Sequence, residues 1–170
     1  KGHKNCYPIL LDGLHKLEYR GYDSAGVACL TENGKITVTK RSGKVKQLEE
    51  GLKKSNLIEN CNGSGIAHTR WATHGKPNQV NAHPHKDQSG NIVLVHNGII
   101  ENYDPIKKFL RSKKVKFKSE TDTEVLLQLI GYFFNQGKLN FEQSVRAALQ
   151  RVDGAYGIVV LNKKEPDVMI

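Results

Sequence analysis

A chain of 170 residues carries 26 lysines and arginines against 17 aspartates and glutamates, a formal net charge of +9. Its 38% hydrophobic and 25% charged content is that of a globular protein, which excludes general disorder, and its length suits one substantial core. No apolar run approaches the roughly 18–20 residues that span a bilayer, and the basic start lacks the apolar centre of a secretory signal.

Taken in chain order, Ile9, Leu10, Leu14 and Leu17 share one side of a helix whose first turn holds Pro8. Short strands are expected over 25–30 and 36–40, joined through Asn33-Gly34, a dipeptide that favours hairpins. A polar helix follows over 44–54. Residues 65–70 and 92–96 read as buried strands, each delivering a polar motif at its C-terminal end. Helical spacing returns at Ile106, Phe109 and Leu110, within a helix over 103–112. Thr121-Asp122-Thr123-Glu124 reads as a capping box opening a helix whose apolar stripe is Val125, Leu126, Leu129, Ile130 and Phe133. An amphipathic helix is expected over 141–151. Gly154 then releases the chain into a strand over 156–161, and Asp167-Val168-Met169-Ile170 reads as the start of another. Strands toward each end with helices between them give α+β or layered α/β, not the strict alternation of a doubly wound sheet.

Cys6, Cys29 and Cys61 are odd in number and show no paired spacing, so unpaired thiols in a reducing cytoplasm are expected. Much of the positive charge lies in Lys107-Lys108 and between Arg111 and Lys118. No nucleic-acid motif accompanies this run and aromatics are scarce, so a solvated face fits it better than a nucleic-acid site. His83-Pro84-His85, with His68, His74 and His96 in neighbouring segments, invites a zinc reading. Neither HExxH nor paired CxxC accompanies them, so no metal and no cofactor are expected.

The most informative stretches are His68-Thr69-Arg70-Trp71-Ala72-Thr73-His74-Gly75 and His96-Asn97-Gly98. An arginine, a hydroxyl and an imidazole in one loop can grip a small zwitterion, and Asn-Gly offers a side-chain amide and a backbone N–H to a developing oxyanion. Asn-Gly is also the commonest tight-turn dipeptide, so the pair alone decides little. With Glu18-Tyr19-Arg20-Gly21-Tyr22-Asp23-Ser24-Ala25-Gly26 and Ser119-Glu120-Thr121-Asp122-Thr123-Glu124, the chain resembles the glutamine-hydrolysing domain of the glutamine–fructose-6-phosphate aminotransferase family, one of the N-terminal-nucleophile amidotransferases. The resemblance runs from about Ile9 to the last residue.

That resemblance implies a four-layer αββα sandwich with antiparallel sheets, in a single domain over 1–170 that is incomplete at both ends. It implies Asn97 and the Gly98 N–H as the oxyanion hole, Arg70 for the substrate α-carboxylate and Asp122 for the α-ammonium. Trp71, Thr73 and His74 would form a loop over bound substrate, and Arg20, Asp23 and His83 would support the centre. The implied substrate is L-glutamine. Its ammonia would pass to a sugar-phosphate isomerase domain of a longer, homo-oligomeric cytoplasmic chain, for glucosamine-6-phosphate synthesis. The resemblance departs at the start. The family opens on a nucleophilic cysteine before Gly-Ile, whereas Cys6 follows Lys1-Gly2-His3-Lys4-Asn5 and lies where the first helix begins, so it is not given that role and these 170 residues are expected to be inactive alone. The alternative is a degenerate module of the same fold that binds glutamine or docks a partner without catalysis.

Overall fold

The computed structural model describes residues 5–31, 33–54, 63–71 and 76–170. The chain divides into two compact units, 1–84 and 85–170.

The first unit holds helix α1 (Tyr7–Leu17), a 3₁₀ turn (Glu18–Arg20), strands β1 (Ser24–Leu30) and β2 (Ile36–Ser42), helix α2 (Val45–Lys54) and strand β3 (Gly65–Arg70). Its sheet runs β2-β1-β3 and both pairings are antiparallel. Every residue of the central strand β1 is buried, whereas edge strand β2 buries only Ile36 and Thr39. Gly34, at a φ of 71°, turns the β1–β2 hairpin as expected from Asn33-Gly34. Helix α1 packs on β3, and α2 on β2 and β1. The core gathers Tyr7, Leu14, Val27, Cys29, Val45, Leu48 and Leu52.

Two expectations fail here. The apolar face of α1 is Tyr7, Leu10 and Leu14, while Ile9 and Leu17 are 69% and 48% exposed. The sequence pattern set the helix but missed the buried side by about one residue, because Tyr7 anchors it. Cys29 is disulfide-bonded, against the reading of three unpaired thiols. Its sulfur also lies 3.5 Å from that of Cys6.

The second unit holds β4 (His85–Lys86), β5 (Ile92–Ile100), α3 (Tyr103–Ser112), α4 (Asp122–Asn135), α5 (Phe141–Leu149) and β6 (Gly154–Asn162). Its sheet runs β4-β5-β6, again antiparallel, so each unit is built as the α+β class requires. Val160 exchanges backbone hydrogen bonds with Ile170, so the apolar end of the chain, expected to start a strand, adds an isolated bridge beside β6. Helix α4 packs on β4 and β5, and α3 and α5 pack on α4.

Residues 122–131 of α4 are all buried, so the helix has no solvated side over this stretch, unlike the one-sided stripe expected. The capping box at its start forms by half. Thr121 Oγ1 accepts from Glu124 N, but the Glu124 carboxylate turns back to Lys118 N, Ser119 N and Ser119 Oγ. A complete box occurs instead at α5, where Asn140 and Gln143 cap each other.

Candidate active site

In the first unit the Tyr19–Asp23 motif is fastened to the end of β3. Asp23 N donates to the Arg70 carbonyl at 3.2 Å, and the Asp23 carbonyl accepts from Gly43 N at 2.8 Å. A Cβ on Gly21 would lie 3.0 Å from the Arg70 carbonyl carbon and 3.1 Å from that of Thr69. A side chain at Gly21 would therefore crowd the β3 backbone, which would have to give by a few tenths of an ångström. Glu18, at the head of the motif, accepts from Val45 N at 2.7 Å and so caps α2. These contacts hold Arg70 at the terminus of β3, opposite Ser24 of β1, with only 5% of its surface exposed.

Trp71 leaves that strand end 59% exposed, its ring 5.6 Å from that of Tyr22. Exposure suits a loop residue better than a core one. Thr73 and His74 lie outside the described residues. Arg20 is exposed on the 3₁₀ turn. His83 is buried with its ring 4.5 Å from that of His68, while His85 bonds Thr121 Oγ1 at 3.0 Å in the other unit. The two imidazoles thus serve separate partners. Among the described residues no three or more His, Cys, Asp or Glu side chains gather as a metal group.

In the second unit Asn97 and Gly98 do not sit on a tight turn after a strand. Strand β5 continues to Ile100, and the pair lies within it, opposite Gly157 and Tyr156 of β6. Gly98 has a φ of 137°, and a Cβ there would come 2.2 Å from the Ala155 carbonyl oxygen and 2.6 Å from Tyr156 Cα. This position admits only glycine. Both residues of the pair are exposed although His96 and Ile100 on either side are buried.

Asp122 opens α4, 4% exposed. Its Oδ2 accepts from Ile100 N at 2.9 Å and its Oδ1 from Thr123 N at 2.9 Å. The Thr123 hydroxyl lies 3.5 Å from the same Oδ1, and since a carboxylate has about four acceptor sites, capacity remains for a cation. Thr123 Oγ1 lies 2.8 Å from His96 Nδ1. The acid and the Asn-Gly pair are thus held together by the start of one helix, at which the helix dipole also favours a negative charge. Thr123, His96 and His85 carry this assembly, and the sequence reading gave them no such role. The alternation of Ser119, Thr121 and Thr123 with acids was the available signal: short hydroxyls just before a buried helix commonly tie down neighbouring strands.

Residues 68–170 match the family model described as a glutamine amidotransferase domain. The chain belongs to that family. It is 49% identical over 169 residues to glutamine–fructose-6-phosphate aminotransferase of Bacteroides thetaiotaomicron, covering 99% of this chain and 27% of that protein. The enzyme of the same name from Chlorobaculum tepidum is 50% identical over 170 residues, with the same coverage, and that of Escherichia coli K12 46% over 162, covering 95% and 26%. The chain therefore spans about a quarter of the length of the curated relatives it matches. Among solved structures, the glutamine phosphoribosylpyrophosphate amidotransferase of B. subtilis with ADP and GMP aligns at a TM-score of 0.76 and 27% identity. That alignment covers 95% of this chain and 34% of the other. An allosteric regulatory enzyme of purine biosynthesis aligns at 0.78 and 28% with the same coverage. This amidotransferase domain shares their fold, that of the N-terminal-nucleophile hydrolases, as its motifs implied. Among its described residues no helix is long and apolar enough to cross a membrane.

Proposed function

We propose that this domain binds L-glutamine and hydrolyses its side-chain amide to glutamate and ammonia, as the glutaminase part of a glutamine–fructose-6-phosphate aminotransferase. The observation that carries the reading is the start of α4. A buried acid with acceptor capacity to spare is bonded to the strand that exposes Asn97 and Gly98, and Ile100, its partner, is two residues from Gly98. Asp122 receives the α-ammonium and the Arg70 guanidinium the α-carboxylate, in a bidentate pair that a lysine could not reproduce. The Asn97 amide and Gly98 N–H then stabilise the oxyanion formed when the substrate carbonyl is attacked. Trp71, Thr73 and His74 close over the bound amino acid, and Arg20, Asp23 and His83 support the centre.

The nucleophile in this reading is not Cys6. Burial pushes its thiol above the ordinary range, the wrong direction for a group that must supply thiolate near neutral pH. The released ammonia serves an isomerase domain of the whole protein, which makes glucosamine-6-phosphate in the cytoplasm as a homo-oligomer.

Calorimetric titration of the full chain with L-glutamine tests the first step. Arg70→Lys and Asp122→Asn should each weaken binding by about tenfold or more, the scale of one charge-assisted contact. Affinity equal to the parent in both variants would remove the clamp. Ammonia release tests the second step: Asn97→Ala should lower turnover by roughly 10²–10³-fold, the scale of one oxyanion donor. In the whole protein, glutamine binding without ammonia release would favour a non-catalytic module instead.

A further inference from the structure

The start of α4 touches β5 on both sides of the Asn97–Gly98 pair. Asp122 bonds Ile100, two residues after it, and Thr123 bonds His96, immediately before it. Between these two pins the strand departs from regular geometry, because Gly98 holds a φ of 137° against Ala155 and Tyr156 of β6. The irregular segment is exposed, while both pinned residues and both pinning residues are buried, at 4% exposure or less.

We propose that Thr123 and His96 form a positioning pair that fixes the orientation of the Asn97 amide and the Gly98 N–H. The inference rests on reading those two groups as the oxyanion donors. Asp122 alone restrains only the far side of the pair, through the backbone. The β6 ladder runs along the whole segment, and on the near side the buried His96 side chain, held by the Thr123 hydroxyl, adds a second restraint next to Asn97. The edge of the Tyr156 ring system, 6.2 Å away at 67°, bounds the imidazole from β6. The hydroxyl also has Asp122 Oδ1 at 3.5 Å. With its proton directed to that carboxylate, it accepts from His96 Nδ1–H and selects one imidazole tautomer. The ammonium-receiving acid and the oxyanion donors are then set by adjacent residues of one helical turn. Such support matters because misplacement of a catalytic group by about 1 Å can cost on the order of 10²-fold in rate.

The test uses the full chain with Thr123→Val, which keeps the shape and removes the hydroxyl, and Thr123→Ser, which restores it. The readouts are the ¹⁵N resonances of the His96 ring and of the Asn97 side-chain amide, with kcat and KM for ammonia release from glutamine. Thr123→Val should move or broaden both sets of resonances and lower kcat about tenfold, with KM changed less than about twofold. Thr123→Ser should return all of them close to the parent. Unchanged His96 and Asn97 resonances in folded Thr123→Val would overturn the proposal. So would a loss that Thr123→Ser fails to rescue. Asn97→Ala separates this from failure of the functional reading: if it leaves ammonia release intact while Thr123→Val still shifts the His96 ring, the oxyanion assignment is wrong but the positioning pair stands.

Discussion

Two polar stretches adjoin in sequence and behave in opposite ways. Residues 107–118 hold seven lysines and arginines and no acid, and among the described residues none of the seven forms an ion pair. All but Lys107 are exposed, with Lys107 over the Phe117 ring and Lys113 over that of Phe109. Residues 119–124 are polar throughout, yet five of the six are buried and hydrogen-bonded to strands or to each other. Composition would mark the first stretch as the more important. Desolvation says otherwise: a buried polar group persists only where partners repay its lost water, so it is the satisfied cluster that encodes geometry.

The comparison can be broken at its strongest point first. Glu124→Ala strips acceptors from Lys118 N, Ser119 N and Ser119 Oγ together, and should cost about 3 kcal/mol. For a domain of this size that is roughly 6–12 °C in Tm by calorimetry. Loss of less than about 1 kcal/mol would mean water replaces the carboxylate, and that the cluster is not closed. Gly98→Ala, on the strand that this cluster holds, should cost about 2 kcal/mol through its positive φ and the Ala155 contact. The exposed neighbour Asn97→Ala should leave stability within about 0.5 kcal/mol, which urea denaturation of the pair would reveal.

Half-buried Cys6 stands between the two extremes. Its raised pKa means less thiolate at a given pH, so alkylation near pH 8 should run several-fold below that of an unshifted cysteine. The same shift favours the folded state below the ordinary thiol pKa of about 8.5 and loses that contribution as pH rises through the folded value. An ordinary alkylation rate at pH 8 would show the thiol to be solvated. The smallest effect belongs to the basic run: replacing Lys113, Lys114 and Lys116 together by serine should move stability by no more than about 0.5 kcal/mol.

Much of the fold was legible because period and punctuation agreed. Tyr103–Ser112 emerges with the expected bounds, and Gly65–Arg70 likewise, since flanking glycine and polar residues mark their ends. The errors have physical causes. Strand β5 runs on through Asn97-Gly98 because β6 offers nine paired residues, and tertiary pairing outweighs the turn preference of the dipeptide. Glu124 leaves the capping box because two backbone donors and a hydroxyl of the preceding loop lie within reach. The disulfide at Cys29 escaped the reading because the cysteines show no paired spacing to signal it. Of the site, the residue identities came from motif resemblance, whereas the bonds of Thr123 to His96 and of Asp122 to Ile100 needed the folded chain.

The most direct measurement is a crystal structure of the full chain with L-glutamine bound. The clamp requires the substrate α-carboxylate within about 3 Å of the Arg70 guanidinium and the α-ammonium within about 3 Å of the Asp122 carboxylate. The side-chain carbonyl should lie toward Asn97 and Gly98. Density for glutamine elsewhere, or an Arg70 guanidinium and an Asp122 carboxylate that face away from a common ligand, would contradict the assignment of this domain as a glutaminase.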